Sequence, residues 1–217
     1  DILLGRLLLA MSKAAELRLI AVSGGLKDNA IPVSASASLA AADGEAARAA
    51  AAELAGAFQA EYQSTDPGLF VRCEPCTAEK TPMDADSTGA VLCMLNCLPN
   101  GVQAMSPALP GLVQTSLNLG ILETGETSVT ASFCVRSSVG SQKQMLLERL
   151  ECLMGQLGGS VAVSGDYPEW AYRQDSPLRR RMAEVFLEQY GREPQIEAIH
   201  AGVECGLFCG KIPDLDC

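Results

Sequence analysis

Thr115-Ser116-Leu117-Asn118-Leu119-Gly120-Ile121-Leu122 and Ser128-Val129-Thr130-Ala131-Ser132-Phe133-Cys134-Val135-Arg136 decide the fold class. In both stretches polar and apolar residues alternate, the period of a strand with one buried face, and Glu123-Thr124-Gly125-Glu126 between them carries turn residues. The pair predicts an antiparallel hairpin. Working towards the C-terminus, Ser141 can cap a helix in which Met145, Leu146, Leu150, Leu153, Met154 and Leu157 share one face, more often a core stripe than a cofactor box, and Gly158-Gly159 ends it. Ser160 to Val163 reads as one more strand. Working towards the N-terminus, Pro99-Asn100-Gly101 reads as a turn after the apolar run Val91 to Leu98, which is helix or strand.

Further upstream, Leu7 to Glu16 is a helix candidate, Leu17 to Val22 a strand ending at Gly24-Gly25, and Val33 to Ala41 a second strand. Asp43 can cap an alanine-rich helix from about Gly44 to Tyr62, with Glu45 suited to its positive end. Thr65 to Asp86 reads as a loop. The order strand, strand, helix, hairpin, helix, strand predicts an α+β domain, helices on one face of an antiparallel sheet. Tyr167, Pro168, Trp170 and Tyr172 concentrate aromatics between Asp166 and Asp175, and a domain boundary is expected there. Beyond it Ser176-Pro177 caps and starts a helix with Leu178, Met182, Val185, Phe186 and Tyr190 facing inward, and Gly191 stops it. Ile196 to Ile199 is then a strand leading into the loop of His200, Gly202 and Glu204.

The 217 residues are 48% hydrophobic, enough for a sizeable core, and carry a formal charge of −10 with no basic block, which leaves out the electrostatic footprint of a nucleic-acid binder. No apolar run reaches the roughly 20 residues that span a bilayer, and the N-terminal residues lack the pattern of a signal peptide. A cytoplasmic protein without nucleic-acid or membrane partners is expected. Cys73/Cys76 and Cys93/Cys97 imitate paired zinc ligands, but the second pair lies in an apolar run where cysteine acts as a small hydrophobe, and free thiols are expected.

Several motifs in order resemble one family. Gly24-Gly25 with Asn29-Ala30-Ile31-Pro32, Pro99-Asn100-Gly101-Val102, Met105-Ser106-Pro107, Pro110 to Gly120, Tyr167-Pro168-Glu169-Trp170 with Asp175-Ser176-Pro177-Leu178, and Ile199 to Phe208 with Gly210 to Asp216 are similar to aminoacylhistidine dipeptidases. These are cytosolic zinc metallopeptidases related to carboxypeptidase G and peptidase V. The resemblance implies that residues 1–165 are most of a lid and dimerisation domain, and that 166–217 are a C-terminal piece of an α/β catalytic domain. It implies hydrolysis of short peptides such as Xaa-His by water held between two zinc ions. The family's metal ligands and general base fall mostly upstream of Asp1, and its last metal-binding histidine after Cys217. An internal or truncated piece is therefore expected, with no catalytic and no metal-binding residue assigned in this chain, no zinc held by it alone, and a homodimer formed through the lid.

Arg136 matches the lid arginine placed on the substrate carboxylate, and a guanidinium suits a carboxylate through two charge-assisted bonds. Asn29 matches the Asn of the Asn-x-Ile-Pro motif and could donate to a carbonyl or carboxylate. Glu204, Gly202 and His200 are assigned to the substrate pocket, the glycine allowing close backbone approach. The bland readings are a solvated arginine, a turn asparagine and a structural histidine. Two other classes stay open: a non-catalytic dimerisation and binding module, and a cysteine-rich zinc protein.

Overall fold

Short acidic side chains cap two of the first three helices. The computed structural model describes residues 1–77, 80–198, 200 and 204–217. Within the first 98 residues the chain forms α1 (Ile2–Ala14), β1 (Leu17–Gly24), β2 (Ala35–Ala41), α2 (Gly44–Tyr62) and α3 (Ala85–Cys97). Asp43 Oδ1 accepts from the amides of Glu45 (3.0 Å) and Ala46 (2.9 Å), and Asp84 Oδ1 does the same for Ser87 (2.7 Å). Each cap satisfies amides that the helix cannot. The apolar run around Val91 is thus helical, and its helix starts inside the segment read as loop. The first helix begins upstream of Leu7 and closes at Ala14.

All three helices lie against β1 and β2. Gly5 lets α1 meet α3 closely: a Cβ there would come within 2.9 Å of Leu95 Cβ, and Asn96 Nδ2 donates to the Gly5 carbonyl at 3.0 Å. Leu8, Leu19, Val22, Ala51, Phe58 and Leu95 form the dry interior. β1 and β2 pair antiparallel from Leu17↔Ala41 to Gly24↔Ala35, with a bulge after Leu19. On its other side β1 meets a strand only at Ser23 and Gly24, so side chains and loops serve the rest. Thr88 Oγ1 accepts from Leu19 N (3.1 Å), Met83 N donates to Leu19 O (2.7 Å), and Thr124 Oγ1 bonds both Val22 N (2.8 Å) and Val22 O (2.9 Å). Leaving such groups unpaired would cost about 1–3 kcal/mol each.

The remainder adds β3 (Gly101–Met105), β4 (Val113–Thr124), β5 (Val129–Ser137), α4 (Gly140–Gln156), α5 (Pro177–Tyr190) and α6 (Glu204–Lys211). The sheet order is β2-β1-β4-β3, with β5 also on β4. β1 and β3 both run antiparallel to β4, and the link between β4 and β5, closed by Gly125 N to Ser128 O at 2.8 Å, is too short for any other sense. The hairpin read from the sequence therefore holds, in an antiparallel sheet with helices packed on it.

Several expectations are corrected. Ser141 does not cap α4: the N-cap is Val139, without a side-chain bond, and Ser141 lies in the first turn. Residues 160–163 and 196–198 are not strands, because no described strand offers either a ladder, and Ile199 lies outside the described residues. α5 keeps its predicted ends, with Ser176 Oγ accepting from Arg179 N at 3.0 Å and Gly191 left-handed at φ 66°. Its apolar stripe does not face inward: Met182 is 64% and Tyr190 63% exposed, since no described element of its own unit covers them. Contacts group the described residues into two compact units, Asp1–Leu98 with Asn118–Cys134, and Pro99–Leu117 with Val135–Cys217.

Gly120 has the backbone of Asp28 where a side chain would begin, so Gly120→Ala should lower unfolding free energy by about 1–3 kcal/mol through overpacking. Gly89, exposed on α3 with open space around it, should gain about 0.5–1 kcal/mol on changing to Ala. Urea denaturation of the two variants beside the wild type measures both; equal midpoints for all three would disprove the packing account.

Candidate functional site

Two neighbouring strands and one distant loop build the polar cluster of the second unit. Ser116 lies in β4 opposite Val102 of β3, so its direction is set by the ladder, and its neighbour Thr115 points to the other face. Thr115 is buried there, where its hydroxyl meets Ser137 Oγ (2.8 Å) and Gln142 Oε1. Ser116 Oγ instead lies 2.8 Å from His200 Nε2. Arg136, half-buried in β5, donates from Nη1 to the His200 carbonyl at 3.3 Å. Ring and main chain of His200 are thus each held by one strand of the same sheet.

Partial burial pushes the His200 imidazole below its ordinary pKa, and the Arg136 charge adds to the shift. The folded ring is neutral at pH 7, with one nitrogen donating and the other accepting. Beside it stands a guanidinium, whose charge and planar fork match a carboxylate. Such a pair can hold an anionic group and offer it a neutral hydrogen-bonding ring.

Asn29 lies in the first unit, exposed in the loop between β1 and β2. That loop is held at its backbone: Asn118 Nδ2 donates to the carbonyls of Asp28 (3.1 Å) and Ala30 (3.2 Å). Gly25, at φ 71°, and Gly120 meet where any Cβ would overlap a backbone carbonyl. The Asn29 side chain is presented by a loop whose main chain is fixed on both sides of it. Glu204 stands exposed in the first turn of α6, an end of the helix that suits a carboxylate. Gly202 lies outside the described residues. Of the five residues read from the sequence, the structure brings Arg136 and His200 into contact. Ser116 and Asn118 were missed as contributors; both lie in the quoted Pro110 to Gly120 motif, which carried no role for them.

Among the described residues no three His, Cys, Asp or Glu side chains are arranged to hold a metal. Cys73 and Cys76 are exposed in irregular chain, while Cys93 and Cys97 are one turn apart on α3 with sulfurs 3.9 Å from each other. These donors do not fit a zinc centre.

The chain is similar to two known proteins over almost its whole length, which bears out the resemblance read from the motifs. It is 31% identical over 218 residues to the cytosol non-specific dipeptidase of Escherichia coli (strain K12), covering 99% of this chain and 44% of that protein. The crystal structure of the aminoacylhistidine dipeptidase from Vibrio alginolyticus matches with a TM-score of 0.90 at 29% identity, over 99% of this chain and 44% of that one. The chain therefore spans less than half the length of the proteins it matches. No family model matches it.

A histidine whose folded pKa lies below its unfolded value of 6.5 contributes stability that is present above that value and is lost as pH falls through the folded pKa. His200→Gln removes this contribution while leaving all carboxylates in place. Below about pH 6.5, stability should fall more steeply with acid for the wild type than for His200→Gln, as read from denaturant midpoints at a series of pH values. Parallel curves would show that His200 is not buried as described.

Proposed function

We propose that this chain is a substrate-holding portion of a cytosolic zinc-dependent dipeptidase acting on Xaa-His and other short peptides. The observation that carries this reading is the match of 99% of the chain, at a TM-score of 0.90, to an aminoacylhistidine dipeptidase. In this reading residues 1–165 are the lid and 166–217 a returning piece of the catalytic domain. Zinc supplies an activated water when bound, and the segments holding it lie outside residues 1–217.

The residues of this chain bind and orient. Arg136 receives the terminal carboxylate of the peptide through its guanidinium, with neutral His200 beside it. Asn29, on its braced loop, donates to a substrate carbonyl or carboxylate. Glu204, and Gly202 on the strength of the motif alone, are assigned to the same substrate pocket. The competing reading, a non-catalytic dimerisation and binding module, shares this geometry and differs only in turnover by the longer protein. β2, at one end of the strand order, leaves an edge on which a second copy can pair, and the lid is proposed to dimerise there.

In the longer protein carrying this segment, Arg136→Lys keeps the charge and loses the planar fork. It should lower kcat/KM by about 10- to 100-fold for peptides with a free carboxylate, the scale of one charged hydrogen bond, and leave amidated peptides nearly unchanged. Equal losses for both substrates would remove Arg136 from carboxylate recognition, and absence of any peptide hydrolysis by that protein would favour the binding module. Sedimentation equilibrium should find dimers that a proline in the middle of β2, such as Ser38→Pro, dissociates; a monomer at high concentration would end the dimer proposal.

A further inference from the structure

We propose that Ser116 is a positioning residue for His200: its hydroxyl holds the imidazole at Nε2 and so sets the plane of the ring, so that the ring meets a peptide whose terminal carboxylate sits on Arg136. This rests on the dipeptidase reading for the identity of the ligand, and on geometry alone for the positioning itself.

Ser116 and Arg136 come from β4 and β5, which pair with each other, while His200 comes from a loop far along the chain. The two strands are tied into the sheet, whereas His200 belongs to no helix or strand. A single bond to a histidine ring leaves its carbonyl end free to pivot, and a single bond to the carbonyl leaves the ring free to turn. Here both are made, at 2.8 Å from Ser116 to Nε2 and at 3.3 Å from Arg136 to the carbonyl. A hydroxyl can give or take the proton, so it holds the ring nitrogen of either neutral tautomer without adding charge. Partial burial first, and the Arg136 charge after it, oppose protonation of the ring, so Ser116 faces a neutral ring at pH 7.

The chain contains one histidine, so its imidazole gives one set of nitrogen signals in long-range ¹H–¹⁵N spectra, free of overlap from any other. In the wild-type 217-residue chain the ring nitrogen signals should lie away from those of neutral free histidine; in Ser116→Ala they should move towards them; Ser116→Thr, which keeps the hydroxyl, should retain the wild-type pattern. Wild-type signals already at the free positions overturn the proposal without any variant, and so does an unchanged pattern in Ser116→Ala. If Ser116→Ala fails to fold, the wild-type and Ser116→Thr spectra still decide. In the longer protein, Ser116→Ala should raise KM for carboxylate-bearing peptides by about threefold to tenfold, the scale of one neutral hydrogen bond, with kcat little changed and Ser116→Thr restoring KM. An unchanged KM beside a changed ring pattern would overturn the link to substrate. Absence of peptide hydrolysis by the wild-type longer protein would refute the dipeptidase reading instead, and the spectra alone would then judge the positioning.

Discussion

A strand has two hydrogen-bonding edges, and β4 has three strand partners. At least two of them must share an edge, and they do so by taking separate registers: β3 pairs from Val113 to Leu117, and β1 only at Leu122 and Glu123. Asn118 and Gly120 lie between those registers and pair with neither strand. That interval is where the loop carrying Asn29 is seated, its carbonyls taken up by the Asn118 amide and its backbone pressed on Gly120. The same shortage of strand partners explains why Thr88, Met83 and Thr124 complete the unpaired edge of β1.

Alternation along β4 then divides its labour. Thr115 is turned into the packing with Ser137 and Gln142 of α4, and Ser116, one residue on, reaches His200. Polar side chains on one face of the strand hold the sheet to its helix, and the next one holds the candidate binding residues. A one-residue slip of β4 would exchange these tasks, so the register that buries Leu117 and Leu119 with Thr115 also fixes the site.

What could be read from sequence was local. The β4/β5 hairpin, the Asp43 cap and the Ser176-Pro177 start with its Gly191 stop each depend on residues within a few positions of one another, and each has its predicted form. Strands at 160–163 and 196–198 failed because a strand is defined by a partner, which apolar content alone does not supply. The α5 stripe has the right period, but period says nothing of what covers it. Arg136 and His200 were legible through motifs that resemble a family. Their meeting was not, nor was the bond from Ser116 across 84 positions, because such contacts are set by strand order and not by spacing.

The most direct test of the account is a crystal structure of the longer protein bound to a non-hydrolysable dipeptide analogue with a free carboxylate. The carboxylate should lie within hydrogen-bonding distance of the Arg136 guanidinium, with the His200 ring still on Ser116 and facing the ligand. A carboxylate bound elsewhere, with Arg136 turned only to the protein, would contradict the assignment of this segment as the part that holds the substrate.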